Sequence, residues 1–415
     1  MSLKRVPLSI FLLLIMVSCA DKSKFSQWRG PDRNGKYPQT GLLKQWPDDG
    51  PELLWSFEGL GEGHGSPGIA EDRLYILGMP DTTGIIYCFD LMGDLLWQKD
   101  YGPEWHTNYT GPRSTPTITD GLLYFVSGQG VAFCMDAKNG DVIWKIDMFE
   151  NYGAQGTSWG IAESPLLDGD RIILTPGGQE HNVVALDRFS GELIWSGSGN
   201  GEQSAYCSPI MVEHNDARLI VTMTAESILG IDAVDGKTLW RIPHNQGNKI
   251  HANSPVYEDG MVFCASDWAK TTKGHVMIQL SEDGRTAEVG WRNEERFNLL
   301  GGIILHEECL YSSSFDKKEW YCLDAATGQV NYVSDQVAGG ALIFADGLFY
   351  CYGTDGVMAL IEANENGCRV ISSFEVTLGS DEHWAHPVIG KGVLYLRHGN
   401  TLMAYDISAA PSQPE

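Results

Sequence analysis

The stretch Leu186-Asp187-Arg188-Phe189-Ser190-Gly191-Glu192-Leu193-Ile194-Trp195 decides the fold. An apolar run reaches an Asp, a short turn ends at a Gly, and a second apolar run ends at a Trp, which is the pattern of two antiparallel strands joined by a tight turn. The copies are Phe89-Asp90…Gly93…Trp97, Met135-Asp136…Gly140…Trp144, Ile231-Asp232…Gly236…Trp240 and Leu323-Asp324…Gly328…Tyr332. In each of them the aromatic residue stands four positions after the Gly. A spacing kept this constant predicts a repeat array.

The length of the repeat indicates its architecture. Successive aromatic residues at the end of the pattern are separated by 41 to 51 residues. This step fits a four-stranded blade of a β-propeller and is too long for a leucine-rich or ankyrin repeat. The aromatic positions are Trp55, Trp97, Trp144, Trp195, Trp240, Trp291, Tyr332 and Phe374. We therefore predict an all-β, eight-bladed propeller of four-stranded antiparallel blades.

The two ends of the repeat region are incomplete in complementary ways. Residues 53–57 have the pattern of an outer strand but lack the three strands that should precede it. The last unit has three strands, ending with residues 402–406, and lacks a fourth. Pairing the first segment with the last would close the ring and remove two unpaired sheet edges. We expect one propeller domain over residues 51–408, closed by this N-terminal strand.

These motifs resemble the PQQ-like propeller repeat, whose hallmark is apolar-Asp-x-x-Thr-Gly-x-x-x-Trp. The chain looks like a relative of the BamB-like propeller lipoproteins over roughly residues 50 to 408. The resemblance implies the eight-bladed fold. It implies much less about function, because one scaffold can serve unrelated tasks.

Charge excludes some partners. The chain has 54 acidic and 29 basic residues, a net charge of −25, and no run rich in Lys or Arg. Nucleic acid and an anionic membrane surface are therefore unfavourable partners. We expect a monomer that meets a membrane only through a lipid anchor.

The N-terminus has the pattern of an export signal. Residues 1–18 begin with a basic pair and continue with an apolar run too short for a membrane span. Met16-Val17-Ser18-Cys19 resembles a lipobox, which implies diacylation of Cys19; the alternative is ordinary secretion with a chance Cys. Residues 19–50 would form a tether and arm carrying Trp28 and Trp46, and 409–415 a disordered tail. This predicts a lipoprotein of the cell envelope, in the outer membrane facing the periplasm.

Cysteines occupy a recurring small-residue position. Cys88, Cys134 and Cys322 stand two residues before the repeat Asp, where other blades have Ala or Gly. We attribute the small residue to close packing of adjacent blades. Stacked sheets lie about 10 Å apart, too far for a disulfide, so Cys88 and Cys134 should not pair. Only Cys309 and Cys322 are candidates for a disulfide.

Candidate ligand-binding residues come from loops at one mouth of the central channel, where the innermost strands begin. These loops carry polar and aromatic residues, whereas the opposite face consists largely of short Gly turns. Function in such folds concentrates on the loop-rich side. The candidates are His64, Tyr109, Arg113, Trp159, Glu163, Tyr206, His251, Asn253, Trp268, His383, Trp384 and His386.

Each candidate has a structural alternative. The histidines lack the spacing of a zinc site, so we expect no metal and interpret them as channel histidines with satisfied hydrogen bonds. Arg113 and Glu163 form either a substrate clamp or an ordinary ion pair. Trp159, Tyr206, Trp268 and Trp384 form either a ligand platform or a plug of the channel.

Three functions remain open. The first is a binding or assembly scaffold that holds an envelope protein, peptide or glycan. The second is a lyase-type carbohydrate-active enzyme, with His64, His251 or His383 as base and Arg113 against a sugar carboxylate. The third is a quinone-dependent dehydrogenase. The resemblance implies a pair of adjacent cysteines in such enzymes, and the chain has neither Cys-Cys nor Cys-x-x-Cys-His. We therefore expect no cofactor and disfavour PQQ.

Overall fold

The computed structural model describes residues 26–244, 249–266 and 274–409, and these form a ring of eight sheets. Each blade has four antiparallel strands. In seven blades they lie side by side in chain order, with the first strand on the channel side, and in the eighth the outer edge strand comes from the N-terminal end of the propeller. The predicted all-β, eight-bladed propeller is confirmed. The single helix of the described residues, α1 (Met148–Tyr152), is far too short to cross a membrane.

The first four blades follow the repeat closely. Blade one contains β3 (Gly68–Ala70), β4 (Arg73–Gly78), β5 (Thr83–Asp90) and β6 (Leu95–Pro103). Blade two contains β7 (Thr117–Thr119), β8 (Leu122–Val126), β9 (Val131–Asp136) and β10 (Val142–Asp147). Blade three contains β11 (Leu166–Asp168), β12 (Arg171–Leu174), β13 (Val183–Asp187) and β14 (Leu193–Gly197). Blade four contains β15 (Ile210–His214), β16 (Ala217–Met223), β17 (Ser227–Asp232) and β18 (Thr238–Pro243).

The remaining blades complete the circle. Blade five contains β19 (Val256–Glu258), β20 (Met261–Ala265), β21 (His275–Leu280) and β22 (Ala287–Asn293). Blade six contains β23 (Ile304–His306), β24 (Cys309–Ser314), β25 (Glu319–Asp324) and β26 (Val330–Ser334). Blade seven contains β27 (Gly340–Ala345), β28 (Leu348–Gly353), β29 (Val357–Asn364) and β30 (Gly367–Glu375), with β1 (Lys36–Tyr37) added in parallel to β27. Blade eight contains β31 (Val388–Gly390), β32 (Val393–His398), β33 (Thr401–Asp406) and β2 (Glu52–Phe57).

Blade eight joins the two ends of the chain as predicted. Strand β2 pairs antiparallel with β33, from Glu52 opposite Asp406 to Phe57 opposite Leu402. The buried guanidinium of Arg397 in the same blade donates hydrogen bonds to two carbonyls. One is that of Gly65, in the loop before blade one, and the other is that of Leu77, in strand β4 of blade one. The seam is therefore held by backbone pairing within the sheet and by side-chain bonds to the next blade.

The repeat motif is a connection between neighbouring blades. In the Asp187 turn, one carboxylate oxygen accepts hydrogen bonds from the backbone of Phe189 and Ser190. Gly191 then adopts a φ of 76°, and a β-carbon there would lie 3.0 Å from the ring of Trp144, which belongs to the preceding blade. That indole also donates to the carbonyl of Arg188 at 3.0 Å. The Asp side chain therefore stabilises the turn, the Gly leaves space for the Trp ring of the preceding blade, and that Trp connects the two blades.

The small-residue position has a second cause beside the blade packing that we predicted. Gly230 occupies it in blade four, directly across the sheet from Trp240. A β-carbon on Gly230 would come within 2.0 Å of that indole. The position therefore lies under the Trp ring of its own blade and also packs against the next blade, because Cys88 and Cys134 share core clusters with residues of blades two and three.

All eight cysteines of the described residues are free thiols. Cys88 and Cys134 are among them, and we had predicted that these two would not form a disulfide. Cys309 and Cys322 share a neighbour, because the amide nitrogen of Asn331 lies 3.6 and 3.5 Å from their sulfurs. Cys19 lies outside the described residues.

The N-terminal arm crosses the central channel before the chain reaches blade eight. Ser26 pairs with Ile118 of blade two, and Arg33 donates to the carbonyls of Ser164 and Pro165 at blade three. Arg29, across the ring, donates to the carbonyl of Ile303. Both arginines are buried, so the arm fills the channel rather than lying on its surface. It then leaves between blades seven and eight, where Trp46 packs on Tyr350 and Phe374.

Candidate functional site

A cavity of about 280 Å³ opens at the mouth formed by the loops that lead into the innermost strands. We call it the cup. Six of its lining residues carry a Trp, Tyr or Phe ring, and its surface is mainly apolar. The lining residues are Trp28, His64, Tyr109, Arg113, Trp159, Ala162, Ser164, Tyr206, Ser208, Ile250, Ala252, Leu299, Leu300, Phe315, Asp316, Trp384 and His386. Its size and character are those of a ligand pocket.

One wall of the cup is built around Trp384. The Trp384 ring lies 5.0 Å from the ring of Tyr109, 5.2 Å from that of His64 and 6.1 Å from that of Phe315. These four residues come from loops of different blades. A single wall made from several blades fixes the position of each ring through its neighbours.

The facing wall is formed by Trp159 and Tyr206. Their rings are 5.9 Å apart, and the backbone N–H of Trp159 donates to the Tyr206 hydroxyl at 3.3 Å. The hydroxyl therefore has a fixed partner, while the two rings remain on the cavity surface. An apolar group inserted into the cup would meet aromatic surface on both sides.

Trp28 of the N-terminal arm lines the deepest part of the cup. Its indole N–H donates to the hydroxyl of Ser254 at 3.0 Å, and its ring makes an edge contact with His386 at 4.7 Å. The His386 ring nitrogen in turn bonds the carbonyl of Leu300 at 2.8 Å. The arm thus contributes Trp28 to the lining of the cup where it crosses the channel.

Two cup aromatics have strained backbones. Tyr109 has a φ of 45° and Tyr206 a φ of 71°, in the left-handed region that favours glycine. Each costs on the order of 1–2 kcal/mol for a residue with a β-carbon. Strain of this kind concentrates at functional sites, where it holds side chains in required positions.

Arg113 is the cation of the cup wall. Its guanidinium donates to the backbone carbonyls of Gly111, Asn108 and Tyr109, and so orders the loop that carries Tyr109. Burial lowers its pKa to about 10, although Glu104 is near. Among the ion pairs of residues 26–244, 249–266 and 274–409, none joins Arg113 to Glu163. The structure supports a loop-ordering role in place of the ion pair we considered.

A second cavity, of about 230 Å³, adjoins the cup behind Trp159, Tyr206 and Ile250. We call it the annex. The remaining residues of its lining are polar: Thr157, Ser158, Gln203, Ser204 and Lys249. Lys249 donates to the side chain of Gln203 at 2.9 Å. An apolar pocket beside a polar one suits an extended ligand whose character changes along its length.

Four predicted site residues lie outside the cup. Glu163 is buried and accepts the backbone N–H of Thr175 at 2.9 Å, and burial raises its pKa to about 8. Asn253 bonds the backbone of the loop before blade six. His251 is fully buried and does not line the cup. His383 stacks on His398 at 3.6 Å and bonds the Tyr352 hydroxyl.

The other predicted residues converge, with one exception. His64, Tyr109, Arg113, Trp159, Tyr206, Trp384 and His386 all line the cup. Trp268 lies outside the described residues. Sequence reasoning missed Trp28, Phe315 and Asp316 as cup residues. The arm motif Trp28-Arg29-Gly30-Pro31 was visible, but nothing in it indicated that the ring would reach the mouth.

The histidines are held neutral and apart. Burial lowers the pKa of His64 and His386 to about 3, and that of His251 and His383 to about 4. Of the three candidate bases, only His64 faces the cup. The described residues contain no group of three His, Cys, Asp or Glu side chains arranged to hold a metal ion. The arrangement can enclose a ligand, and of the residues considered for lyase chemistry it brings His64 and Arg113 to the same cup.

A family comparison agrees with this architecture. The family model described as "Outer membrane protein assembly factor BamB" matches residues 82–334, more than half of the chain. The chain belongs to the BamB family. The resemblance first drawn from the Asp, Gly and Trp spacing is therefore confirmed.

Individual BamB-family comparisons are more distant. Outer membrane protein assembly factor BamB of Kangiella koreensis is 28% identical over 139 residues, 32% of this chain and 32% of that protein. Quinoprotein alcohol dehydrogenase PedH of Pseudomonas putida is 23% identical over 175 residues, 40% of this chain and 27% of its own length. The matched stretches thus span about a third of these relatives. The crystal structure of BamB from Moraxella catarrhalis has a TM-score of 0.60 at 14% identity, covering 88% of this chain and 99% of that one, and shows the shared fold.

The similarity to a quinoprotein raises the question of whether the cup fits a quinone cofactor. PQQ carries several carboxylates, whereas Arg113 is the one basic residue beside the histidines in the cup lining. Asp316 in the same lining is acidic and would repel those carboxylates. The donor set of this BamB-family cup is a poor match to that cofactor.

Proposed function

We propose that this protein is a binding scaffold of the cell envelope, anchored by a lipid on Cys19 and located in the outer membrane on its periplasmic side. It holds an extended segment of a partner protein or peptide at the mouth, with one apolar side chain inserted in the cup. The BamB names of its relatives support an envelope role in assembly. The observation that carries the proposal is the cup itself, in which walls centred on Trp384 and on Trp159 face each other above Trp28.

The character of the two cavities favours a peptide over a glycan. A sugar presents hydroxyl groups on most of its edges, and each needs a partner when it is buried. The cup offers few polar groups for its size, since leucine, isoleucine, alanine and aromatic side chains cover most of its lining. The polar annex, with Gln203 and Lys249, is placed to meet backbone or polar side chains on either side of the inserted residue.

The preorganisation of the walls supports binding as the task. Tyr109 and Tyr206 are held in strained conformations, and Trp159 is tied to Tyr206 through its backbone. Rigid aromatic residues lose little entropy on binding and are typical anchors of interfaces. A partner would be captured without reorganisation of the mouth.

A site-specific photo-crosslinker at Asp316, on the rim of the cup, tests the proposal in the full chain in its native envelope. We expect adducts with an envelope protein that disappear in Trp384→Ala and persist in Val234→Ala, which shortens an exposed side chain on the opposite face. The same crosslinker at Thr327, on the turn face, should give no such adduct. Adducts that survive Trp384→Ala, or glycan-array binding that Trp384→Ala abolishes, would contradict a peptide-binding cup.

A further inference from the structure

The face opposite the mouth carries exposed aliphatic residues at one repeated position. In blade one, Leu95 pairs with Phe89 and Trp97 with Cys88, which leaves Leu96 as an unpaired bulge residue. A bulge lets consecutive residues of one strand face outward together. Leu95 is 42% exposed and Leu96 is 46% exposed. Both lie where the outermost strand begins, beside the Gly turn.

The same bulge is apolar and exposed in four consecutive blades. Its residues in blades eight, one, two and three are Leu54, Leu96, Ile143 and Ile194, each 45–49% exposed. Nearby turns add Met92, which is 79% exposed, and Phe189. We call these six residues the apolar arc. In blades four and seven the bulge residues Leu239 and Ile371 are half-buried, and in blades five and six they are Gly290 and Asn331. The exposed arc therefore covers about half of the rim.

The chain enters the described structure from the face that carries the arc. Innermost strands such as β7 run from the mouth toward the Gly turns. Ser26 pairs antiparallel with Ile118 of β7, so the chain at Ser26 runs toward the mouth and comes from the turn face. Seven residues lead from Cys19 to Ser26, and a fully extended chain of that length spans at most ~25 Å. A lipid on Cys19 would keep the turn face close to the bilayer.

We propose that the apolar arc rests on the surface of a zwitterionic lipid bilayer, with the mouth turned away from it. This inference builds on the membrane anchor of the proposed function. The arc consists of Leu, Ile and Met with a single Phe, whereas protein interfaces rely on Trp, Tyr and Arg. Scattered aliphatic side chains fit the adaptable interfacial region of a bilayer. The chain's net charge of −25 disfavours anionic lipids, so zwitterionic headgroups are the expected surface.

Fluorescence of a polarity-sensitive dye tests the contact. The full chain, purified with its own anchor, is reconstituted in phosphatidylcholine and phosphatidylethanolamine vesicles after Cys368→Ser removes the one half-buried thiol. The dye is attached at Leu96→Cys, at Ile194→Cys or, as control, at Thr327→Cys on the turn face of blade six. We expect a blue-shifted emission and several-fold quenching by spin-labelled lipid at the first two positions and neither effect at the third.

Two results would overturn the inference. One is equal, weak lipid quenching at all three positions in a chain whose N-terminal acylation is verified by mass spectrometry. The other is a blue shift that appears only in native envelope and is insensitive to quencher lipid, because a protein would then cover the arc. Absence of the acyl group would instead contradict the anchor of the proposed function. As a second measure, Leu96→Glu with Ile194→Glu should lower the quenching at Leu54→Cys several-fold.

Discussion

The ring of Trp55, in the strand that closes the propeller, lies against Gly93 in the turn of blade one. A β-carbon at Gly93 would come within 2.6 Å of that ring, and the Trp55 indole donates to the carbonyl of Leu91 at 3.1 Å. The same arrangement joins Trp97 to Gly140 and Trp195 to Gly236. At the seam, this contact connects strand β2, which completes blade eight, to the turn of blade one.

Gly93→Ala should destabilise the seam by about 2–4 kcal/mol, through strain at its φ of 91° and displacement of the Trp55 ring. Gly121→Ala is the matched control, since Gly121 has a φ of 74° but open space around its β position. It should cost only about 1–2 kcal/mol. Urea unfolding of both variants measures the difference, and equal losses would show that the Trp55 contact adds nothing.

Glu163→Gln should change the dependence of stability on pH. Burial raises the pKa of Glu163 to about 8, so the folded state takes up a proton that the unfolded state releases above pH 4.5. The contribution of Glu163 to the free energy of unfolding is therefore full below pH 4.5 and is lost as the pH rises toward 8. The amide introduced by the substitution can still accept from the N–H of Thr175 but does not titrate. Between about pH 5 and pH 8 the variant should gain about 2–4 kcal/mol relative to the parent. Parallel profiles for the two chains would contradict the raised pKa.

Thiol counting tests the cysteine assignments. All eight described cysteines are free, and only Cys368 is not fully buried. Burial raises the pKa of Cys134 and Cys207 to about 12, which keeps them in the unreactive thiol form. In the chain acylated at Cys19, an aromatic disulfide reagent should therefore titrate one thiol rapidly in the folded protein and eight after denaturation. A denatured count of six would mean that one pair, with Cys309 and Cys322 as the candidates, is oxidised.

Trp28→Ala should open the cup toward the channel. Loss of the ring removes its contact with His386 and should lower stability by about 2–4 kcal/mol. Crosslinking from Asp316 should fall with it. Trp28→Phe keeps a ring but loses the bond to Ser254, which should cost about 1 kcal/mol and leave crosslinking intact. If both variants crosslink as the parent does, the arm has no part in binding.

The fold was more predictable than the site because the two depend on different ranges of interaction. The Asp187 turn, Gly191 and Trp144 act through contacts within one blade or with its neighbour, so a regular spacing carries them. Cup membership depends on loop conformation. His383 and Trp384 are adjacent, yet one bonds Tyr352 and the other lines the cup.

The missed residues have a similar explanation. Trp28 reaches the mouth only because the arm crosses the channel, held by Arg33 at blade three and Arg29 at blade six. Phe315 lies in the loop between β24 and β25 of blade six and not in a loop that leads into an innermost strand, which is where we sought candidates. Contacts between segments so far apart leave no periodic trace in one sequence.

Pairing of β2 with β33 sets the order in which the molecule can be completed. The strand that closes the circle precedes seven complete blades along the chain, and its partner ends at Asp406. During synthesis β2 must wait while seven blades are produced, with its apolar edge unpaired. A chain stopped even ten residues short of Asp406 could assemble most of its sheets and still remain an open, association-prone arc.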